Sequence, residues 1–313
     1  MDRRRALKIL AGGAAATTAG LACAGGVAAS PSEEVKPLPE AVGMLYDATL
    51  CIGCKTCMVA CNEANELPPD TGASGGLYQA PANLNAKTKN VIKLYRKGEE
   101  QSFVKAQCMH CVDPACTTAC MMHALKKDER GIVYWEGDRC VGCRYCQVAC
   151  PYGVPQFEWA SLNPRIVKCE LCRHRLAKGG IPACVEVCPR KAVIYGKRAE
   201  LLAEAHRRIK ERPDIYVQKV YGEHDGGGTQ VLYISHVDFD KLGLPALGDR
   251  PVPETVRKVQ DTIYYGFAAP VALYGILALV VRRNRRLGEK ATHAATAGDE
   301  ANGDEAEGKE KRP

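Results

Sequence analysis

Cys51-Ile52-Gly53-Cys54-Lys55-Thr56-Cys57-Met58-Val59-Ala60-Cys61 decides how this chain is read. Its C-x2-C-x2-C-x3-C spacing recurs at Cys140, Cys143, Cys146 and Cys150. Two further quartets, Cys108-Cys111-Cys116-Cys120 and Cys169-Cys172-Cys184-Cys188, keep the opening C-x2-C and the closing C-x3-C but lengthen the middle gap. Of the 17 cysteines, only Cys23 stands outside a quartet. Such runs hold cubane iron–sulfur clusters, because soft iron prefers thiolate and a cubane takes one thiolate at each of its four irons. Four quartets therefore predict four 4Fe–4S clusters, with all sixteen cysteines as iron ligands.

Other readings of the cysteines fit less well. A disulfide framework is common in exported, cysteine-rich chains, but it does not require a repeated C-x2-C-x2-C-x3-C run. Structural zinc uses C-x2-C pairs, yet three cysteines in so short a turn make a poor tetrahedral set. The full set of sixteen ligands also argues against a degenerate, non-binding quartet. Pro151 follows Cys150 and Pro189 follows Cys188, as in bacterial ferredoxins. Asn62 follows Cys61 and Met121 follows Cys120, a change that touches loop rigidity rather than ligation.

Charge and the two chain ends bound the location. The net charge is +7, but residues 1–30 supply +3 and residues 282–313 supply +1. About +3 is left for the body, too little for a nucleic-acid surface, and no nucleic-acid partner is expected. Arg3-Arg4-Arg5 ahead of an Ala/Gly-rich apolar stretch makes residues 1–29 a twin-arginine signal peptide, with Cys23 inside it. Export of an already folded protein lets clusters be assembled in a reducing compartment first. Thr262–Val281 is a run without charge, long enough to span a bilayer as a helix. Arg282, Arg283, Arg285 and Arg286 follow it and place that end in the cytoplasm. The cluster domain then lies on the periplasmic side, held by a single C-terminal anchor, with 282–313 a basic and then disordered tail.

The strands around the quartets decide how they pair. Ala124-Leu125-Lys126, a turn at Asp128 to Gly131 and Ile132-Val133-Tyr134-Trp135 read as a hairpin that joins the second quartet to the third. Ala192-Val193-Ile194-Tyr195 after the fourth quartet needs a partner, and Met44-Leu45-Tyr46 before the first is free. The first quartet therefore pairs with the fourth, and the module of residues 108–150 is inserted between quartets 51–61 and 169–188. Because the last cysteine of each run ligates the neighbouring cluster, the expected ligand sets cross over. They are Cys51, Cys54, Cys57 and Cys188; Cys169, Cys172, Cys184 and Cys61; Cys108, Cys111, Cys116 and Cys150; and Cys140, Cys143, Cys146 and Cys120. The expected fold class is α+β, made of tandem, nested ferredoxin-like modules, each for two 4Fe–4S clusters, with a C-terminal transmembrane helix. The four-cluster domain covers 30–200, an extension and linker 201–261, and the membrane helix 262–281. Helical periodicity marks Ala199 to Arg212, and a tight turn at Gly226-Gly227-Gly228 precedes a strand over Gln230 to Ile234. His110, His123 and His174 are expected as groups beside the clusters or on the surface, since thiolates fill every ligand position.

The chain resembles the four-cluster, ferredoxin-like electron-transfer subunits of molybdenum oxidoreductases and some hydrogenases. More narrowly, it is similar to the membrane-anchored iron–sulfur subunit of hydrogenase-2-type nickel–iron hydrogenases. The residues that carry this are Gly43-Met44-Leu45-Tyr46-Asp47, Cys108-Met109-His110-Cys111-Val112-Asp113-Pro114, Lys168-Cys169-Glu170-Leu171-Cys172 and Gly226-Gly227-Gly228-Thr229-Gln230-Val231-Leu232. The resemblance implies a non-catalytic subunit of an oxidoreductase complex. Its partners would be a hydrogenase small subunit, or another catalytic subunit, and an integral membrane quinone-reducing subunit. The alternative is the equivalent beta subunit of a formate dehydrogenase or other molybdopterin oxidoreductase. No paired-carboxylate motif, nucleophile–base signature or dinucleotide fingerprint competes with this reading, and no catalytic residue is assigned.

Overall fold

A computed structural model of the chain describes residues 35–70, 79–159, 161, 164–254, 257, 266–268 and 270–289. The expected signal peptide and the last part of the tail lie outside the described residues. The chain divides into two units, Met1–Glu254 and Thr255–Pro313.

In the first unit, strand β1 (Val42–Asp47) is the centre of a three-stranded sheet. Helix α1 (Thr56–Ala64) follows within the first quartet. Strands β2 (Asn90–Lys97) and β3 (Glu100–Gln107) form an antiparallel hairpin that leads into the second quartet. The short helix α2 (Ala115–Thr118) is followed by β4 (Leu125–Lys127), β5 (Val133–Trp135) and α3 (Tyr145–Ala149). A two-residue pair, β6 (Gln156–Phe157) with β7 (Ile166–Val167), leads to the fourth quartet and to α4 (Arg173–Leu176) and α5 (Ala183–Glu186). Strand β8 (Val193–Lys197), helix α6 (Arg198–Glu211) and strand β9 (Val231–Ile234) complete the unit.

The sheet order is β8-β1-β9. Strand β1 pairs with β8, as the sequence led us to expect, and runs antiparallel to it with Met44 opposite Tyr195. It also pairs in parallel with β9, Met44 opposite Val231, which the sequence reading did not anticipate. Being central, β1 buries both faces, and its side chains alternate between two cores. Leu45 packs with Leu232, Ile234, Leu201, Ala205 and Ile209 beneath α6. Met44 and Tyr46 face the other way, into the core that adjoins the cysteines. In α6, Leu201, Ala205 and Ile209 recur at a spacing of four, the stripe that turns one helix face inward. Burying a side chain the size of Leu201 or Ile209 is worth about 1.5–3 kcal/mol.

The β4–β5 hairpin pairs Leu125 with Trp135 and Lys127 with Val133. Asp128 holds its turn by accepting from the N–H groups of Ile132 at 2.8 Å and Arg130 at 3.1 Å. The glycine triplet forms the expected turn before β9, with positive φ at Gly226, Gly227 and Gly228.

In the second unit, a helix over Gly266–Glu289 is long and apolar enough to cross a membrane by length and composition. It continues through Arg282, Arg283, Arg285 and Arg286, where the sequence reading ended the helix at 281. Arginine is a good helix former, so the charge ends the apolar run without ending the helix.

Candidate metal centres

The four quartets are built on two loop designs. In the first, Gly53 and Lys55 take positive φ of 68° and 59°, and Gly142 and Arg144 repeat this at 69° and 65°. Gly53 is obligatory on a second ground, because a Cβ there would lie 2.2 Å from the Phe103 ring. In the other design His110 takes φ 49°, and Leu171 and Cys172 take 50° and 49°. Left-handed backbone at residues other than glycine costs of order 1–3 kcal/mol each and persists where the surroundings impose it. Here the curled loop turns its thiols to one side. The third cysteine of each quartet then sits in the first turn of a short helix: Cys57 in α1, Cys116 in α2, Cys146 in α3 and Cys184 in α5.

The closing cysteines of the second and fourth quartets share one turn. The Ala124 N–H donates to Cys120 Sγ at 3.2 Å, and the Ala192 N–H donates to Cys188 Sγ at 3.2 Å. His123 and Lys191, three residues after these cysteines, both take φ 49°. The turn therefore survives without a proline after Cys120. Leu171 N–H to Cys169 Sγ at 3.4 Å and Asn65 Nδ2 to Cys61 Sγ at 3.6 Å add further donors to sulfur.

The thiols fall into four groups, each crossing between quartets. Cys51, Cys54, Cys57 and Cys188 line one cavity, together with Tyr46, Ile92 and Lys105. Cys61 lies by Cys184 and Cys172, and Cys169 lies by Cys61 and Cys184. Cys111 is surrounded by Cys108, Cys116 and Cys150. Cys146 is surrounded by Cys120, Cys140 and Cys143. The groups also adjoin one another in sequence, through Cys57 and Cys184, Cys169 and Cys108, and Cys116 and Cys146. They make a line. Its ends reach solvent, for Cys54 and Cys143 are exposed, whereas Cys61, Cys169, Cys172 and Cys184 are buried.

The donor set suits anionic iron–sulfur clusters. All sixteen quartet cysteines are free thiols. Burial pushes the thiols of Cys57, Cys116 and Cys146 up to about 12 and that of Cys61 to about 11. Burial disfavours the bare thiolate, and bound iron would supply the compensating charge. Among the described residues no three His, Cys, Asp or Glu side chains converge on one ion. Tetrahedral zinc would need thiolates about 3.8 Å apart, as its 2.3 Å bonds dictate. A cubane instead gives each thiolate its own iron.

Comparison with known proteins agrees with this chemistry. The 4Fe-4S dicluster domain matches twice, at residues 50–125 and 100–198. The hydrogenase-2 operon protein HybA of Escherichia coli O157:H7 is 39% identical over 321 residues, which cover 91% of this chain and 96% of that protein. The chain belongs to the 4Fe-4S dicluster family that contains HybA. Other relatives of this family are iron–sulfur subunits of formate dehydrogenases. The nitrate-inducible one of E. coli K12 is 34% identical over 259 residues, or 80% of this chain and 85% of that subunit. One from Haemophilus influenzae is 34% identical over 236 residues, covering 69% and 74%. As a HybA-family member, the chain is an iron–sulfur electron-transfer subunit with four 4Fe–4S clusters.

One site feature, Lys105, escaped the sequence reading, and His110, expected beside the clusters or on the surface, is buried. Lys105 is buried among thiols, and His110 is buried with Nδ1 accepting from the Val133 N–H at 3.0 Å. Burial and the charges of Lys168 and Lys127 hold His110 well below the usual imidazole range, so it is neutral. With Nδ1 as acceptor, its proton sits on Nε2, which has no partner among the described residues. His123 and His174 are exposed.

Proposed function

We propose that the chain carries electrons between a periplasmic nickel–iron hydrogenase and an integral membrane subunit that reduces quinone. One observation carries this reading: four thiol groups in line, the second fully buried and the two ends exposed at Cys54 and Cys143. A line of one-electron sites with two accessible ends suits conduction between two partners. The 39% identity to HybA favours a hydrogenase as one of them. When bound, each cluster takes up and gives back one electron. The chain's own residues would hold the clusters, keep water from the second group and donate N–H groups to cysteine sulfurs.

The ligand sets we propose are the four groups of the structure. They are Cys51, Cys54, Cys57 and Cys188; Cys61, Cys169, Cys172 and Cys184; Cys108, Cys111, Cys116 and Cys150; and Cys120, Cys140, Cys143 and Cys146. The subunit itself performs no substrate chemistry in this reading. Export through the twin-arginine signal of residues 1–29 and anchoring by the C-terminal helix put the clusters on the periplasmic face. The arginines after Val281 support that orientation.

A second reading has the same conductor serve a formate dehydrogenase, which the 34% identity to such iron–sulfur subunits favours. Purifying the intact complex separates the two. Co-purification of a nickel–iron pair and hydrogen-dependent quinone reduction is the expected result. A molybdopterin subunit in its place would overturn the hydrogenase reading.

A further inference from the structure

Lys105 lies on β3 and is 1% exposed. Its ammonium donates to Gln107 Oε1. The thiols that face it are Cys184, Cys57, Cys169 and Cys61, and it lines the cavity of Cys51, Cys54, Cys57 and Cys188. It stands between the first two thiol groups of the line. Burying a lone ammonium costs several kcal/mol unless an opposite charge accompanies it. With clusters bound, the cysteine thiolates of both groups would supply that charge.

We propose that Lys105 sets the reduction potentials of the two clusters held by the first and fourth quartets, as a fixed positive charge between them. This rests on the ligand sets proposed above. An electron added to a cluster deepens its negative charge, and burial makes that unfavourable. The second group is fully buried, so without compensation it would be an uphill step next to the exposed first group. A cation shared by the two favours the reduced state of each and keeps the step between them passable. Lys105 is a positioning residue for charge, not a ligand.

Redox titration followed by electron paramagnetic resonance tests this in the intact complex. Lys105→Met is expected to move the signals of two clusters to more negative potential and leave the other two in place. Lys105→Arg is expected to restore them. Gln107→Glu, which sets a carboxylate on the ammonium without emptying its space, is expected to produce the same negative shift. It serves as the test where Lys105→Met fails to assemble. Unchanged potentials in Gln107→Glu and Lys105→Met, with iron at the wild-type level, would overturn the proposal. An equal shift of all four signals would do so too. Iron content below that of four clusters in the unmutated complex would instead count against the ligand sets themselves.

Discussion

Leu45 and Ile194 face each other across the β1–β8 ladder, and this pairing brings Cys51 and Cys188 to the same cavity. The two strands come from opposite ends of the cluster domain. Closing them encloses the whole inserted module, so the first cluster group depends on the last strand before α6. The fold and the metal centres are thus one problem: sheet contacts decide which thiols meet.

The tightest point of that sheet is Gly43. A Cβ at this position would lie 1.9 Å from the Gln230 carbonyl oxygen, which is backbone and has no rotamer to change. Gly43→Ala is therefore expected to destabilise the loaded protein by about 3 kcal/mol, the upper range for overpacking. Thermal unfolding monitored at the cluster absorbance reads this as a lowered midpoint. Gly248→Ala, where a Cβ meets nothing within 4 Å, is the control and should leave the midpoint unchanged.

Asp47 ties the end of β1 to α6. Fully buried, it accepts from Tyr216 Oη at 2.8 Å, Thr49 Oγ1 at 2.6 Å and Arg208 Nη1 at 3.1 Å. Asp47→Asn removes the charge that Arg208 meets and gives Tyr216 a weaker acceptor. A loss of about 1–3 kcal/mol is expected, as for charged hydrogen bonds broken in a protein interior. Arg207→Ala, in the exposed pairs with Glu204 and Glu211, is expected to cost under about 1 kcal/mol. Equal effects from the two variants would contradict the role given to Asp47.

Much of this architecture was legible from spacing and turns. The cysteine runs gave the cofactor, and the Asp128 to Gly131 turn gave the β4–β5 hairpin. Leftover strands at the two ends of the domain then had to pair. Phe103-Val104-Lys105 is strand-like in the sequence, but β2 and its pairing with β3 were hidden because Lys93, Arg96, Lys97, Glu99 and Glu100 mask the apolar alternation. Gly98, at φ 62° in the turn, was the available signal. Strand β9 was read correctly as a strand, but its parallel place beside β1 follows from a long connection that carries no local signature. Lys105 sits in an alternating strand where a lysine ordinarily faces water. Its burial is imposed by cysteines distant in sequence, so no local pattern announces it.

The C-terminal helix over Gly266–Glu289 belongs to a different unit from the cysteines. A chain ending at Glu254 is expected to keep the full iron complement and to leave the membrane fraction on cell fractionation. Iron loss in the truncated chain would show that the second unit is needed for the metal centres. Retention in the membrane fraction would remove the helix as the anchor.

Thiols that cross between quartets decide every cluster site, and single substitutions followed by electron paramagnetic resonance test that crossing most directly. Cys188→Ser and Cys54→Ser are predicted to alter the same cluster signal, and Cys61→Ser and Cys172→Ser to alter another. If Cys188→Ser instead alters the signal that Cys172→Ser alters, each quartet holds its own cluster and the nested pairing is wrong.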